Sequence, residues 1–172
     1  IRNGKLGLYR SLRIEGGQKG VMISGNGSSS LLFIAILNST VTLNKLSLTG
    51  GAGGAMQAYG GTITLSNSTV SGNSSHRGGG IVVGSDAGYT SKTVVNIINS
   101  SISGNTSSAG GGGIFLYSNS SAELNIHDST ISGNTSGSYG GGILVDHGSL
   151  LRIPEVRLNL FNSTVSGNFS GP

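Results

Sequence analysis

Few residues in this chain can do acid–base or metal chemistry. The acidic side chains are Glu15, Asp86, Glu123, Asp128, Asp146 and Glu155, and the imidazoles are His76, His127 and His147. Hydrolysis of a glycosidic bond takes two carboxyl groups facing each other across the bond, and lyase chemistry takes a base with cations that hold an acidic sugar. Asp86 and Asp146 each follow a Gly-Gly-Gly-Ile strand. That places them on one edge of a repeating fold, two layers or ~10 Å apart. His147 and Arg152 stand near Asp146 in sequence and complete a polar cluster. This is the candidate for polysaccharide lyase or hydrolase chemistry, and the competing reading is a solvated loop edge. The histidines lack ligand spacing, cysteine is absent, and the repeats lack the aspartates of calcium-binding β-rolls. No metal and no cofactor is expected.

The element that must position these groups is a repeat. Asn67-Ser68-Thr69-Val70-Ser71-Gly72-Asn73 is written again from Asn99 to Asn105, from Asp128 to Asn134 and from Asn162 to Asn168. With Asn44 as the earlier member, the spacings are 23, 32, 29 and 34 residues, lengths that belong to solenoids. Each repeat holds three short segments of alternating apolar residues, and no window sustains a helical face. Three strands per turn without a helical crossover is the pattern of a parallel β-helix, each coil pairing with the coils above and below at ~4.8 Å.

That architecture assigns the repeat its roles. Val70, Ile102, Ile131 and Val165 are expected to form one inward apolar stack, and Leu65, Ile98, Ile126 and Leu160 to contribute to another. Asn44, Asn67, Asn99, Asp128 and Asn162 are expected to turn the corner in the left-handed conformation and to bond along the axis as a ladder. Asp128 cannot donate, so it must receive a bond. The glycine triples at 78–80, 111–113 and 140–142 are expected where coils crowd together.

Composition bounds the function. The 32 glycines and 9% charged residues would suggest disorder but for the alternating β-branched and leucine runs. The net charge of +4 comes from few ions, with Arg2, Lys5, Arg10, Arg13 and Lys19 clustered at the start. No basic stripe with interleaved aromatics exists, so nucleic acid is not an expected partner. No run reaches the roughly 20 apolar residues of a membrane span. The sequence opens on Ile1 without an initiator Met, and a fragment or module of a longer polypeptide is expected.

Gly78 to Ile81, Gly111 to Ile114 and Gly140 to Ile143, combined with Val70 to Asn73, Ile102 to Asn105, Ile131 to Asn134 and Val165 to Asn168, resemble the repeats of polymorphic-outer-membrane-protein-like right-handed β-helices of bacterial secreted and surface proteins. Val or Ile stands where many such repeats carry Phe. The resemblance implies an extracellular or cell-surface location and carries no catalytic residue onto this chain. The expected fold class is all-β: a right-handed single-stranded parallel β-helix of about six coils of three short strands, one domain over residues 1–172, without significant helix.

Variable loops on one edge of a rigid solenoid are where specificity sits. The loops after the Gly-Gly-Gly-Ile strands offer Tyr89, Tyr117, His147 and Arg152 as binding residues for a carbohydrate or other cell-surface ligand. Of the Asn-x-Ser/Thr sequons, Asn73, Asn105 and Asn119 are the best placed acceptors for glycosylation. Thr69 and Ser71, with their counterparts, make two outward files of hydroxyls. These resemble ice-binding surfaces, although many members are Ser. Neither end carries a polar cap, which predicts stacking on further coils, on a second subunit or into a filament. The function expected is a non-catalytic structural or adhesion module, with polysaccharide-active enzyme and ice binding as alternatives.

Overall fold

The computed structural model describes residues 4–27, 29–85, 91–118, 121–147 and 155–172. Among them there are 22 strands, all pairs between them are parallel, and no helix occurs. The strands stack into four sheets that run along one axis, as in a parallel β-helix of six coils.

The first sheet contains Leu6–Leu8, Leu32–Ala35, Met56–Tyr59, Ile81–Ser85, Ile114–Ser118 and Ile143–His147. The second contains Leu12–Glu15, Thr40–Asn44, Gly61–Ser66, Thr93–Ile98, Ala122–His127 and Val156–Phe161. Val21–Ser24, Leu46–Thr49, Thr69–Ser71, Ser101–Ser103, Thr130–Ser132 and Thr164–Ser166 form the third. From the third coil onward a fourth sheet is added, made of Ser74–Arg77, Thr106–Gly110, Thr135–Ser136 and Phe169–Ser170. Its strands are short and polar and lack apolar alternation, so the pattern of three strands per coil passed over them.

The core follows the period-two alternation. Val70, Ile102 and Ile131 pair in register and are fully buried. Their counterpart in the last coil, Val165, is in the same file but 45% exposed, because no coil of this structure covers it. The second stack is Leu65, Ile97, Ile126 and Leu160. Ile98, expected there, instead pairs with Ser66 and His127 and points outward. Two adjacent isoleucines satisfy either register by hydrophobicity, and the corner at Asn99 decides between them.

Each residue of the repeated heptad has one structural task. Asn67, Asn99, Asp128 and Asn162 have φ between 46° and 50° and turn the corner. In the second coil that conformation belongs to Lys45, φ 56°, and not to Asn44, which ends its strand opposite Ser66. Asn44 nevertheless serves the ladder. Its Oδ1 accepts from Asn67 Nδ2 at 2.7 Å, and Asn67 Oδ1 accepts from Asn99 Nδ2 at 2.7 Å. Asp128 receives Asn162 Nδ2 at 2.5 Å, as a carboxylate must.

The next residue, Ser68, is buried with Ser100 and Ser129. Ser100 Oγ accepts the Ser68 N–H at 3.1 Å and donates to the Ile98 carbonyl at 2.7 Å, and Ser129 repeats the arrangement one coil on. The seventh residue forms a second, interior ladder. Asn73 Nδ2 donates to Asn105 Oδ1, Asn105 to Asn134 and Asn134 to Asn168, each at 2.9 Å. Each acceptor oxygen also takes the main-chain N–H of the preceding Asn, at 3.0 to 3.1 Å. Buried amides are affordable only when satisfied in this way.

The glycine triples are shaped by this ladder. The first glycine of each has φ near +60°. A Cβ on the third would meet an interior amide: Asn105 Nδ2 at 3.1 Å from Gly80, Asn134 Nδ2 at 3.0 Å from Gly113 and Asn168 Nδ2 at 2.8 Å from Gly142.

Candidate functional site

On the outer face of the first sheet, alternate residues of each strand point away from the core, and aromatic residues recur there. Phe33 and Tyr59 approach with ring centroids 5.5 Å apart, and Phe115 and Tyr117 stack at 5.6 Å with an interplanar angle of 12°. The fourth sheet begins beside this face, and its first strand supplies His76 and Arg77. Together they bound a groove of about 380 Å³ whose walls include Gln57, Tyr59, His76, Arg77, Phe115 and Tyr117.

Register explains the groove. Ala58 pairs with Val83, and Gly84 pairs with Tyr117, so one outward file runs Tyr59, Gly84, Tyr117 along three successive coils. Gly84 is buried and does not line the groove, and a Cβ there would collide with the Tyr117 carbonyl oxygen of the next coil. The Arg77 guanidinium lies 5.6 Å from the Phe115 ring centroid, which helps bury that outward Phe to 3% exposure. His76 Nδ1 is 3.0 Å from Ser108 Oγ, and Gln57 Nε2 donates to the Gly53 carbonyl at 3.3 Å. No residue lining this groove is acidic.

Glu15, Glu123 and Glu155 lie elsewhere and each pairs with a cation, while Asp146 is exposed one coil beyond Tyr117. Glu15 pairs with Arg13 at 2.5 Å and accepts from Asn44, and the Asn44 bond, then that from Arg13, holds its carboxyl below the ordinary glutamate value. Glu123 pairs with Lys92 at 2.6 Å and accepts from Asn125 at 3.0 Å; these two bonds, Lys92 first, lower its pKa likewise. Glu155 pairs with Arg157. A general acid in glycoside cleavage needs the opposite, a carboxyl held protonated. Among the described residues no group of three or more His, Asp or Glu is placed to hold a metal.

The residues singled out from sequence separate. Tyr117 lies in the aromatic groove, brought together with Tyr59, Phe115, His76 and Arg77, which the reading by loops missed. Tyr59, His76 and Arg77 belong to the third coil and Phe115 to the fifth, and the one signal was an aromatic three residues after Met56 and Ile114, at Tyr59 and Tyr117. Tyr89, Asp86 and Arg152 lie outside the described residues, and His147 ends its strand one coil beyond Ser118. Asp146 is exposed in the position paired with Tyr117.

Asn73 and Asn105 are corrected as glycosylation acceptors. They are 1% and 0% exposed, and their Nδ2 atoms, the ones a glycan would occupy, donate within the interior ladder and to the carbonyls of Leu48 and Val70. Asn119 lies outside the described residues.

The hydroxyl files are present and regular. Thr69, Ser101, Thr130 and Thr164 pair in one line, with Ser71, Ser103, Ser132 and Ser166 in the next. Asn67, Asn99 and Asp128 border the first line in a shallow trough of about 420 Å³.

A family model described as "right handed beta helix region" matches residues 7–171. The chain belongs to the right-handed β-helix family. The all-parallel sheets and stacked coils of this β-helix protein agree with that family. No curated protein and no solved structure matches it.

Proposed function

We propose that this β-helix protein is a rigid, non-catalytic structural or adhesion module of an extracellular or cell-surface protein. The observation that carries the reading is how the repeated unit is used: within each heptad the corner, the core residue and both amide ladders serve the stack, and Glu15 and Glu123 are held ionised by their partners. A stack of coils bonded side chain to side chain along its axis resists bending and presents its faces at fixed spacing, which is what a stalk or display surface requires.

The test is a turnover assay of the full chain against a panel of neutral and acidic polysaccharides, following reducing ends and unsaturated products. The expected result is no product above the blank. Turnover that Asp146→Asn abolishes would replace this reading with a polysaccharide-active enzyme.

A further inference from the structure

We propose that Asn38 is the acceptor of an N-linked sugar, and that the fold rather than the motif selects it among the ten Asn-x-Ser/Thr sequons of the chain. A sugar at this one corner is compatible with a structural module and is not required by one.

Hydrogen bonding sorts the sequons. Asn73, Asn105, Asn134 and Asn168 form the interior ladder, and their Nδ2 atoms donate to main-chain carbonyls of the coil before. The first three are buried, so a sugar on any of them requires the stack to open. Asn67, Asn99 and Asn162 are exposed, but each Nδ2 is held by an oxygen of the preceding coil in the outer ladder. A transferase must draw the nitrogen out of that bond to use it. Asn26 and Asn38 differ from these: both are exposed, both have φ of 49°, and neither side chain has a partner among the described residues. The hydroxyl residue of the Asn26 sequon, Ser28, lies outside the described residues, whereas that of Asn38 is the exposed Thr40.

The corner holds the Asn38 amide in solvent. It joins the first-sheet strand Leu32–Ala35 to the second-sheet strand Thr40–Asn44. Its flank is pinned: Ser39 Oγ donates to the Leu37 carbonyl at 3.0 Å, the Ser39 carbonyl accepts the Thr62 N–H at 2.9 Å, and the Thr40 N–H donates to Ser11 Oγ at 3.1 Å. Asn38 turns the chain there in the left-handed conformation that asparagine tolerates. By register, Gly60 and Gly61 occupy the same corner of the next coil and offer no side chain to bond or cover it. Leu37 beside it is 64% exposed, and a bulky hydrophilic sugar on Asn38 would shield that apolar side chain.

The step takes a nucleotide-diphosphate sugar as donor. Asn38 Nδ2 attacks the anomeric carbon, and the new N–C bond forms as the C–O bond to the phosphate breaks. The nucleoside diphosphate leaves with the electron pair, and one amide proton passes to the transferase.

The experiment incubates the folded full chain with a soluble asparagine N-glucosyltransferase and UDP-glucose, and locates hexose by peptide mass spectrometry. The enzyme is first shown to label synthetic peptides of the Asn38, Asn67 and Asn105 sequons. In the folded chain, label is expected at Asn38, and at least about fivefold more slowly at Asn67, Asn99 and Asn162, where a ladder bond must be given up. No label is expected at Asn73, Asn105 and Asn134 without unfolding. Asn38→Gln and Thr40→Val, each shown to be folded by its Tm, should both lose the label at this corner. Absence of label at Asn38 in the folded chain, label at the ladder asparagines as fast as at Asn38, or label at Asn38 that survives Thr40→Val would overturn the proposal.

Discussion

The Oδ1 atom of Asn105 accepts two bonds from Asn73, one from its Nδ2 at 2.9 Å and one from its main-chain N–H at 3.1 Å, in a place with no exposure to solvent. One oxygen thus satisfies two buried donors of the coil before it. The same arrangement passes from Asn105 to Asn134 and from Asn134 to Asn168. The interior ladder donates toward the C-terminal coils, while the outer ladder of Asn44, Asn67 and Asn99 donates toward the N-terminal ones.

Asn105→Ala should therefore be costly. It strips the buried Asn73 main-chain N–H of its acceptor and takes one of the acceptors of Asn73 Nδ2, which also bonds the Leu48 and Ser71 carbonyls, and this destabilises by about 1–3 kcal/mol. Asn99→Gly keeps the left-handed corner and breaks an exposed ladder bond that water replaces, and the loss should stay below about 1 kcal/mol. Urea unfolding of the two variants separates them, and equal losses would contradict the distinction between the ladders.

Asp128 interrupts the outer ladder, because its carboxylate takes the bond from Asn162 but has no proton to give to Asn99. Asp128→Asn restores a donor at that corner, and the left-handed conformation there suits asparagine. The expected change is a gain of about 0.5–1 kcal/mol, read as a higher Tm. A lower Tm would mean that the carboxylate is preferred at this corner.

Gly113 and Gly104 separate two reasons for glycine. At Gly104, φ is +61° and a Cβ would stand in open space, so Gly104→Ala should cost about 1–2 kcal/mol for conformation alone. At Gly113 a Cβ would lie 2.7 Å from the Gly142 carbonyl oxygen and 3.0 Å from Asn134 Nδ2, pressing on the next coil's backbone and on the interior ladder. Gly113→Ala should cost more, about 2–3 kcal/mol, through displaced packing and strained bonds. Thermal unfolding ranks the two, and the reverse order would contradict the close fit of glycine to ladder.

Much of this was legible in the sequence, since a strict repeat with one apolar residue at a fixed place leaves few folds open. Asn67 and Asn73 show where it stopped. Both are asparagines of the same heptad and both look like turn residues, yet one is exposed at a corner and the other is sealed inside. Identity alone does not tell an amide that caps a turn from one that bridges coils. Ile97 and Ile98 are likewise equivalent until register is fixed. The groove was hidden for another reason: Tyr59, Arg77 and Tyr117 are far apart in the chain and meet only because strands of successive coils and a fourth, polar strand lie side by side.

Glu123 gives the fold an acid limit. Its bonds from Lys92 and Asn125 lower its pKa from the ordinary 4.5, so its carboxylate form is favoured in the folded chain. The stability it contributes is complete above pH 4.5 and is lost as pH falls through the lowered folded value. Glu123→Gln should lower Tm at neutral pH by the stability the carboxylate contributes there and flatten the decline below pH 4.5. A decline as steep as that of the parent would assign the acid sensitivity to other groups.

The most direct measurement of the central claim, that the repeated heptad is the clamp of a rigid stack, is native-state hydrogen exchange. The backbone N–H groups of Asn73, Asn105 and Asn134, bonded to buried side-chain oxygens, should exchange only by global unfolding, recurring once per coil. Fast exchange at these three positions, no slower than at the exposed corners Asn67 and Asn99, would contradict it.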